Sequence, residues 1–368
     1  MELVKAKRDD LLAPLAAVSG IIERRHTLPI LSNVLIERSV GKLTFLSTDI
    51  EIQISALARL DAPGEARAVT VGARKLLDIL RALPEGAEAS LTLQDKRMLL
   101  KAGRSRFSLQ TLAAEDFPRL VKPSGEIARL ALPQKALRRL LGLVQYAMAQ
   151  QDIRYYLNGL LMVVEDKHLK LVATDGHRLA YAAMPLAAEV PRQEVIIPRK
   201  TVLELNKLLG ESDDEVEVEV SATQAGFRFG DIELVSKLVD GKFPDYTRVI
   251  PKEHKNRLQI DREALRQALQ RAAILSNEKF RGVRWVLTDN NLKIVSSNAE
   301  QEEANEELEV QYGGDGLDIG FNVTYLLDVL NNVSGSVVEA SFGDAASSTL
   351  ISVPGERDFK YVVMPMRI

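Results

Sequence analysis

Leu43-Thr44-Phe45-Leu46-Ser47-Thr48-Asp49 recurs 126 residues later as Leu169-Lys170-Leu171-Val172-Ala173-Thr174-Asp175. It returns more weakly, 123 residues further on, as Leu292-Lys293-Ile294-Val295-Ser296-Ser297-Asn298. A fixed internal period constrains architecture more than any short pattern can. Outward from that word the register holds. Arg74-Lys75-Leu76-Leu77-Asp78 matches the run Arg199 to Glu204 and then Thr324-Tyr325-Leu326-Leu327-Asp328, each step 125 residues. Phe117-Pro118 recurs 126 residues on as Phe243-Pro244, and Pro365 stands at the corresponding place in a third copy. Three diverged copies fill the 368 residues, with boundaries expected at 1–125, 126–253 and 254–368. That length suits two or three domains, each able to bury a core.

Within each copy the pattern predicts helix, strands, helix, strands. Leu137, Leu140, Leu141 and Val144 stand at i, i+3, i+4 and i+7, an amphipathic stripe, and Leu265, Ala268, Leu269 and Ala272 repeat it in the third copy. Asp261 is placed to cap the latter helix, and Arg262 and Arg266 fall on its opposite face. The run Val216-Glu217-Val218-Glu219-Val220 alternates as a strand with one wet face. Gly313-Gly314-Asp315-Gly316 reads as a hairpin loop. Two helices and several antiparallel strands per copy make the fold α+β.

Hydrophobic residues are 46% and charged residues 27% of the chain, an ordinary globular balance. Lys and Arg number 48 against 51 Asp and Glu, a net charge of −3, which excludes nucleic-acid binding by overall basicity. The charge is nevertheless segregated. The six predicted helices sum to +6, leaving −9 for the remainder, concentrated in runs such as Glu211 to Glu219 and Glu300 to Glu309. Helices lining one surface would attract phosphate there without reading sequence. Solvated helix faces are also often rich in Lys and Arg, so charge alone leaves both readings open. There is no Cys, hence no disulfide, thiolate metal site or cysteine nucleophile. Met1 to Asp10 resembles neither a signal nor a transit peptide, and no apolar run approaches a bilayer span. The expected location is the cytoplasm, with no membrane partner.

Catalytic signatures are missing. No dinucleotide fingerprint, P-loop, zincin helix, nucleophile elbow or EF-hand loop occurs, so no cofactor or metal is expected. Of the four histidines only His177, in Thr174-Asp175-Gly176-His177-Arg178, has neighbours that could act with it. Asp175 and His177 could suggest a hydrolase, but Asp-Gly after an apolar strand is first a tight-turn signal.

Longer words then carry a resemblance. They are Thr27-Leu28-Pro29-Ile30-Leu31, Arg154-Tyr155-Tyr156-Leu157-Asn158-Gly159, Thr174 to Leu179, Phe243-Pro244-Asp245-Tyr246, Ser276 to Arg284, Gly320-Phe321-Asn322-Val323 and Val363 to Ile368. Across its whole length the chain resembles the bacterial DNA polymerase III β subunit, the sliding clamp. The resemblance implies three tandem clamp domains in a head-to-tail homodimer, a pseudo-sixfold ring around duplex DNA. It also implies partners: the clamp loader, the polymerase III catalytic subunit, and other polymerases or repair proteins bearing short linear motifs. The alternative from another class is a protein-interaction scaffold that binds no DNA.

Three sets of residues follow from that resemblance. Arg24, Arg25, Arg74, Gln151, Tyr155, Tyr156, Arg199 and Lys200 match positions near DNA. A pocket for motifs of the kind Gln-Leu-x-Leu-Phe would comprise Leu157, Thr174, Gly176, His177, Arg178, Leu179, Pro244, Arg248, Val249, Asn322, Tyr325, Ser348, Val362, Met364, Pro365, Met366 and Arg367. Met364, Met366 and Val362 would give an adaptable floor, with Arg178 and Arg248 as donors. Read without the resemblance, a terminal Met-Pro-Met is simply a tail docked on a core. At the dimer joint, Ile274 and Leu275 would make the apolar contact. Lys75, Arg97, Arg104, Arg106, Phe107 and Leu109 would face Glu300, Glu302, Glu303 and Glu306.

Overall fold

The computed structural model describes residues 2–23, 28–60, 65–121, 126–252 and 254–368. Six α-helices are present among them: α1 (Arg8–Val18), α2 (Ala73–Ala82), α3 (Gln134–Val144), α4 (Arg199–Leu208), α5 (Arg262–Ala272) and α6 (Val323–Asn332). They fall two to a copy, as expected. The three repeated words become one strand built three times, Lys42–Thr48, His168–Thr174 and Asn291–Ser297. All strand pairs between described residues are antiparallel, so the α+β reading holds.

The chain divides into two compact units, residues 1–137 with 203–238, and residues 138–202 with 239–368. The first holds a twelve-stranded sheet with Glu2–Lys7 at one edge and Ala128–Pro133 at the other. Its middle is a seam between copies, where Ile52–Ala58 pairs with Ile232–Lys237. The second unit holds a nine-stranded sheet and a four-stranded sheet. There the seam is Arg178–Pro185 against Phe359–Val363.

The predicted stripes face cores. Leu137, Leu140, Leu141 and Val144 are buried on α3, and Leu265, Ala268, Leu269 and Ala272 on α5. The Asp261 carboxylate accepts from the Ala264 amide at 2.7 Å, closing an otherwise unpaired donor of the first turn. Val216, Val218 and Val220 are buried while Glu215 and Glu217 stay in water. In the third copy Trp285 fills the core, edge-on to Phe321 at 5.2 Å and Phe342 at 6.3 Å.

Two ties recur between copies. Arg8 donates to the Leu80 and Arg81 carbonyls at the end of α2, and Arg262 to the Leu330 and Gly335 carbonyls at the end of α6. A cation at a helix C-terminus meets the negative end of the dipole and pairs orphan carbonyls. Arg262 is thereby half-buried against the end of α6. The Ser47 hydroxyl donates to the Val18 carbonyl, and Ser296 repeats this on Ala272 at 2.6 Å. Ala173 stands at that place in the second copy and cannot do so.

Gly313 to Gly316 is not a hairpin loop. It leads from Gln311–Tyr312, paired with Asn256–Asp261 in the nine-stranded sheet, to Leu317–Asn322 in the four-stranded one. Gly314 is needed for close approach: a Cβ there would lie 2.6 Å from Asn256 Oδ1 and 2.8 Å from the Tyr312 hydroxyl.

Candidate functional site

Each copy's repeated strand ends in a turn, and in the second copy the turn carries the site. Thr174 Oγ1 donates to the Arg178 carbonyl at 2.6 Å and accepts from the Gly176 amide at 3.1 Å. The Asp175 carboxylate accepts from the amides of His177 at 2.9 Å and Arg178 at 3.1 Å. Its other oxygen takes the Arg178 Nε proton at 3.1 Å. Gly176 has φ +89°, where a side chain is strained. Asp175 is thus the acceptor that shapes a turn, while the His177 side chain stands in water. This is the tight-turn reading of Asp-Gly and offers no acid–base dyad.

Arg178 points inward, its side chain only 10% exposed. NH1 donates to Asp328 Oδ2 on α6 at 2.5 Å and NH2 to the Tyr146 carbonyl at 2.6 Å. The guanidinium lies 4.4 Å from the Tyr325 ring centroid. Burial works against its charge, but Tyr361 and Asp328 outweigh it and raise its pKa. Tyr361 is itself buried, donates to the Tyr325 carbonyl at 2.9 Å and titrates well above the usual phenol range because of that burial. The expectation of Arg178 as a freely offered donor needs correction: it ties the turn to α6 and forms part of the wall.

Around this turn the structure gathers most of the expected pocket. Leu157, Leu179 and Val362 belong to one buried cluster with Leu161, Val172, Ile196 and Phe243, flanked by Tyr156, Tyr246, Ile250 and Leu350. Val362 is fully enclosed, so it backs the floor and does not line it. Pro244, Arg248 and Val249 are exposed beside the cluster, and Arg248 pairs with Asp245 at 3.0 Å. The C-terminal tail crosses next to the turn. The Met364 amide donates to the His177 carbonyl at 2.9 Å, leaving a side chain 45% exposed. The Met366 amide donates to the Gly320 carbonyl at 2.8 Å, and Ile368 lies over Gly282 and Gly320. The tail's backbone is docked while Met364 stays open. Asn322 caps α6 by accepting from the Thr324 amide at 2.9 Å; Tyr325 and Ser348 are half-buried, and so are Pro365 and Met366, whereas Arg367 is exposed.

The residues matched to DNA are scattered along the chain. Arg24 and Arg25 lie outside the described residues. In the first unit, Arg74 stands exposed on α2 without a partner among the described residues. In the second, Gln151 has φ +54° in an exposed loop with Tyr155, 57% exposed and edge-on to Tyr156 at 5.8 Å. Arg199 is half-buried at the head of α4 and donates to the Met148 carbonyl at 3.1 Å; burial, and next the Arg178 charge, lower its pKa. Lys200 is also half-buried.

One residue was missed. Arg154 donates to both Asp152 oxygens, at 3.0 and 2.8 Å, and to the Asp175 carbonyl at 3.1 Å. The Arg154 side chain, and next its amide, hold the Asp152 carboxyl down at about 2. The only signal in the sequence was the Asp152-x-Arg154 spacing, since the Gly176 that leaves room for the guanidinium is 22 residues away.

Of the residues expected at a joint, Arg97, Arg104, Arg106 and Lys75 are exposed in the first unit, with Phe107 half-buried and Leu109 buried. In the second unit Ile274 is 77% exposed and Leu275 half-buried. Glu303–Glu309 is an edge strand, paired only with Asn291–Ser297 among the described residues. Glu300, Glu302 and Glu303 are exposed. Glu306 differs from expectation, because Arg271 of its own chain holds it through two hydrogen bonds at 2.8 and 2.6 Å. No helix in the described residues is long and apolar enough to cross a membrane, and no group of three His, Asp or Glu there could hold a metal.

Comparison with known proteins gives one answer along the whole chain. Residues 2–121, 131–245 and 247–367 match the N-terminal, central and C-terminal domains of the DNA polymerase III beta subunit. The beta sliding clamp of Escherichia coli K12 is 48% identical over 362 residues, 98% of this chain and 99% of that protein. Among solved structures, a Pseudomonas aeruginosa sliding clamp bound to griselimycin superposes with TM-score 0.96 at 45% identity, covering both chains completely. The Caulobacter crescentus pol III beta structure superposes with TM-score 0.92 at 40% identity, again with full coverage of both.

Proposed function

Since the chain belongs to the DNA polymerase III β-subunit family, the sliding clamps of replication, we propose that two copies close head to tail into a ring around duplex DNA. The observation that carries this is that three domain matches follow one another in order along almost the whole chain, at residues 2–121, 131–245 and 247–367. The domains run over 1–125, 126–253 and 254–368. The ring is a non-catalytic, cytoplasmic processivity factor, opened by a separate loader.

The cations Arg24, Arg25, Arg74, Arg199 and Lys200, with Gln151, Tyr155 and Tyr156, face the duplex. They contact phosphate without base readout, so they do not create stops. Exposed Ile274 with Leu275 and the open edge Glu303–Glu309 meet the partner protomer's strand Ser105–Leu112, whose residues 105–110 are paired on one side only, with Arg106 and Phe107 on it and Lys75, Arg97 and Arg104 supplying further cations. Edge pairing and apolar contact dominate there, because exposed ion pairs add only about 0–1 kcal/mol each. The surface around Thr174 to Leu179, Pro244, Val249 and Met364 takes the short motifs of polymerases and the loader. That a relative 45% identical to this chain binds griselimycin supports a ligand site on a protein of this family.

The test is retention on nicked circular DNA after loader-driven assembly, at elevated salt, before and after one restriction cut. Protein that stays on circles and leaves linear molecules is topologically linked. Loss from both alike, with a loader proven active on its own clamp, removes the ring reading.

A further inference from the structure

The exposed loop Gln151 to Tyr156 and the Thr174 to Arg178 turn meet through one guanidinium. Arg154 holds Asp152 by its side chain, and Asp152 also accepts from the Arg154 amide at 2.8 Å. Asn158 closes the loop's other side, accepting from the Asp152 amide at 2.9 Å and donating to the Asp152 carbonyl at 2.8 Å. From there Arg154 reaches over Gly176 to the Asp175 carbonyl. A Cβ on Gly176 would lie 2.8 Å from Arg154 NH1, so the turn's glycine is also the seat of the guanidinium. Beyond Asp175, the bonds of Arg178 to Asp328 and of Met364 to His177 carry the same path into the pocket wall and the tail. At the other end are Tyr155 and Ile153, the latter 97% exposed at the loop tip.

We propose that the Asp152–Arg154 clip is a positioning element that makes occupancy of the loop and occupancy of the peptide pocket mutually dependent. This rests on the reading of the two surfaces given above. Arg154 is the loop's one cation and its side chain is 44% exposed, so phosphate arriving at the loop competes with Asp152 for it. Drawing it away removes a donor from the Asp175 carbonyl and loosens the turn that presents His177 and orients Arg178. Duplex at the loop then weakens peptide binding, and by linkage peptide weakens the loop's hold on duplex by the same factor.

The experiment is a fluorescence anisotropy titration of labelled Gln-Leu-Asp-Leu-Phe peptide onto the intact protein, with and without a short duplex whose own binding is followed by a second dye. Wild type should bind peptide about 5-fold more weakly when duplex is bound, the lower end of ordinary coupling. Asp152→Asn should weaken peptide binding without duplex and lose the duplex effect. Asp152→Asn combined with Arg154→Gln should bind peptide no worse than Arg154→Gln alone. A wild-type peptide affinity indifferent to bound duplex overturns the coupling and leaves the pocket standing. A silent Asp152→Asn overturns the clip as its carrier. No peptide binding by wild type at all overturns the pocket reading as well.

Discussion

The turn from Thr48 to Ile52 in the first copy and the turn from Thr174 to Arg178 in the second have the same backbone. Thr48 donates to the Ile52 carbonyl at 2.8 Å and accepts from the Ile50 amide at 3.0 Å; Asp49 accepts from the amides of Glu51 and Ile52. Each of these bonds has its counterpart at Thr174 and Asp175. Beyond the shared Thr and Asp, the side chains diverge. Where the first copy has Ile50 at φ +71°, the second has Gly176 with Arg154 laid across it. Where the first buries Ile52 in its core, the second places Arg178 and its chain of ionic partners. A shared Thr-Asp turn sets the geometry, and the residues grafted on it decide whether the turn buries an apolar side chain or carries a chain of ionic bonds.

The largest break in this comparison comes from emptying the equivalent position. Arg178→Ala strands Asp328 and should cost about 3 kcal/mol in urea unfolding, with loss of peptide affinity. Ile52→Ala should cost a similar 2–4 kcal/mol through its cavity and leave peptide affinity unchanged. Peptide binding lost in both, or in neither, would dissolve the distinction between the two turns.

A smaller and opposite-signed pair sits two residues earlier. Gly176→Ala forces a side chain into left-handed backbone and against Arg154, and should destabilise by about 1–2 kcal/mol. Ile50→Gly relieves the same conformation while loosening the unfolded chain, so thermal unfolding should shift upward by less than about 1 kcal/mol. If both lower the melting temperature equally, the two turns are not the same backbone in solution.

The most local effect concerns the residue before the turn. Ser296→Ala leaves the Ala272 carbonyl without its donor and should cost about 1 kcal/mol, with faster amide exchange confined to the end of α5. The second copy, with Ala173 there already, sets the outcome to compare against. Exchange that rises throughout the third copy would mean the hydroxyl holds more than a helix end.

What was legible was local. Periodicity placed α3 and α5, Asp261 announced its cap, and the valine–glutamate alternation from 216 to 220 gave its buried face, because each depends on residues within a turn or a strand. What was not legible is pairing at a distance. Nothing near Gly313 says that the strands on either side enter different sheets, since partner choice is made by Asn256–Asp261 and Gly282–Thr288 far along the chain. Arg178 and Glu306 were read as groups turned to a partner because an isolated charge reads as solvent-facing. Asp328 and Arg271, remote in sequence, turn them inward. Arg154 escaped notice for the same reason, as its significance lies in a carbonyl 21 residues away.

The seam between Ile52–Ala58 and Ile232–Lys237 gives the molecule a history that its period conceals. A single ancestral copy, cut where the repeat ends, would expose the backbone of Ile52–Ala58 as a bare ladder inviting another chain. Duplication therefore did more than add length: a neighbouring copy became the cover for an edge that a solitary one could not protect. Fragments prepared at the repeat boundaries inherit that liability, because the compact units of this chain straddle them.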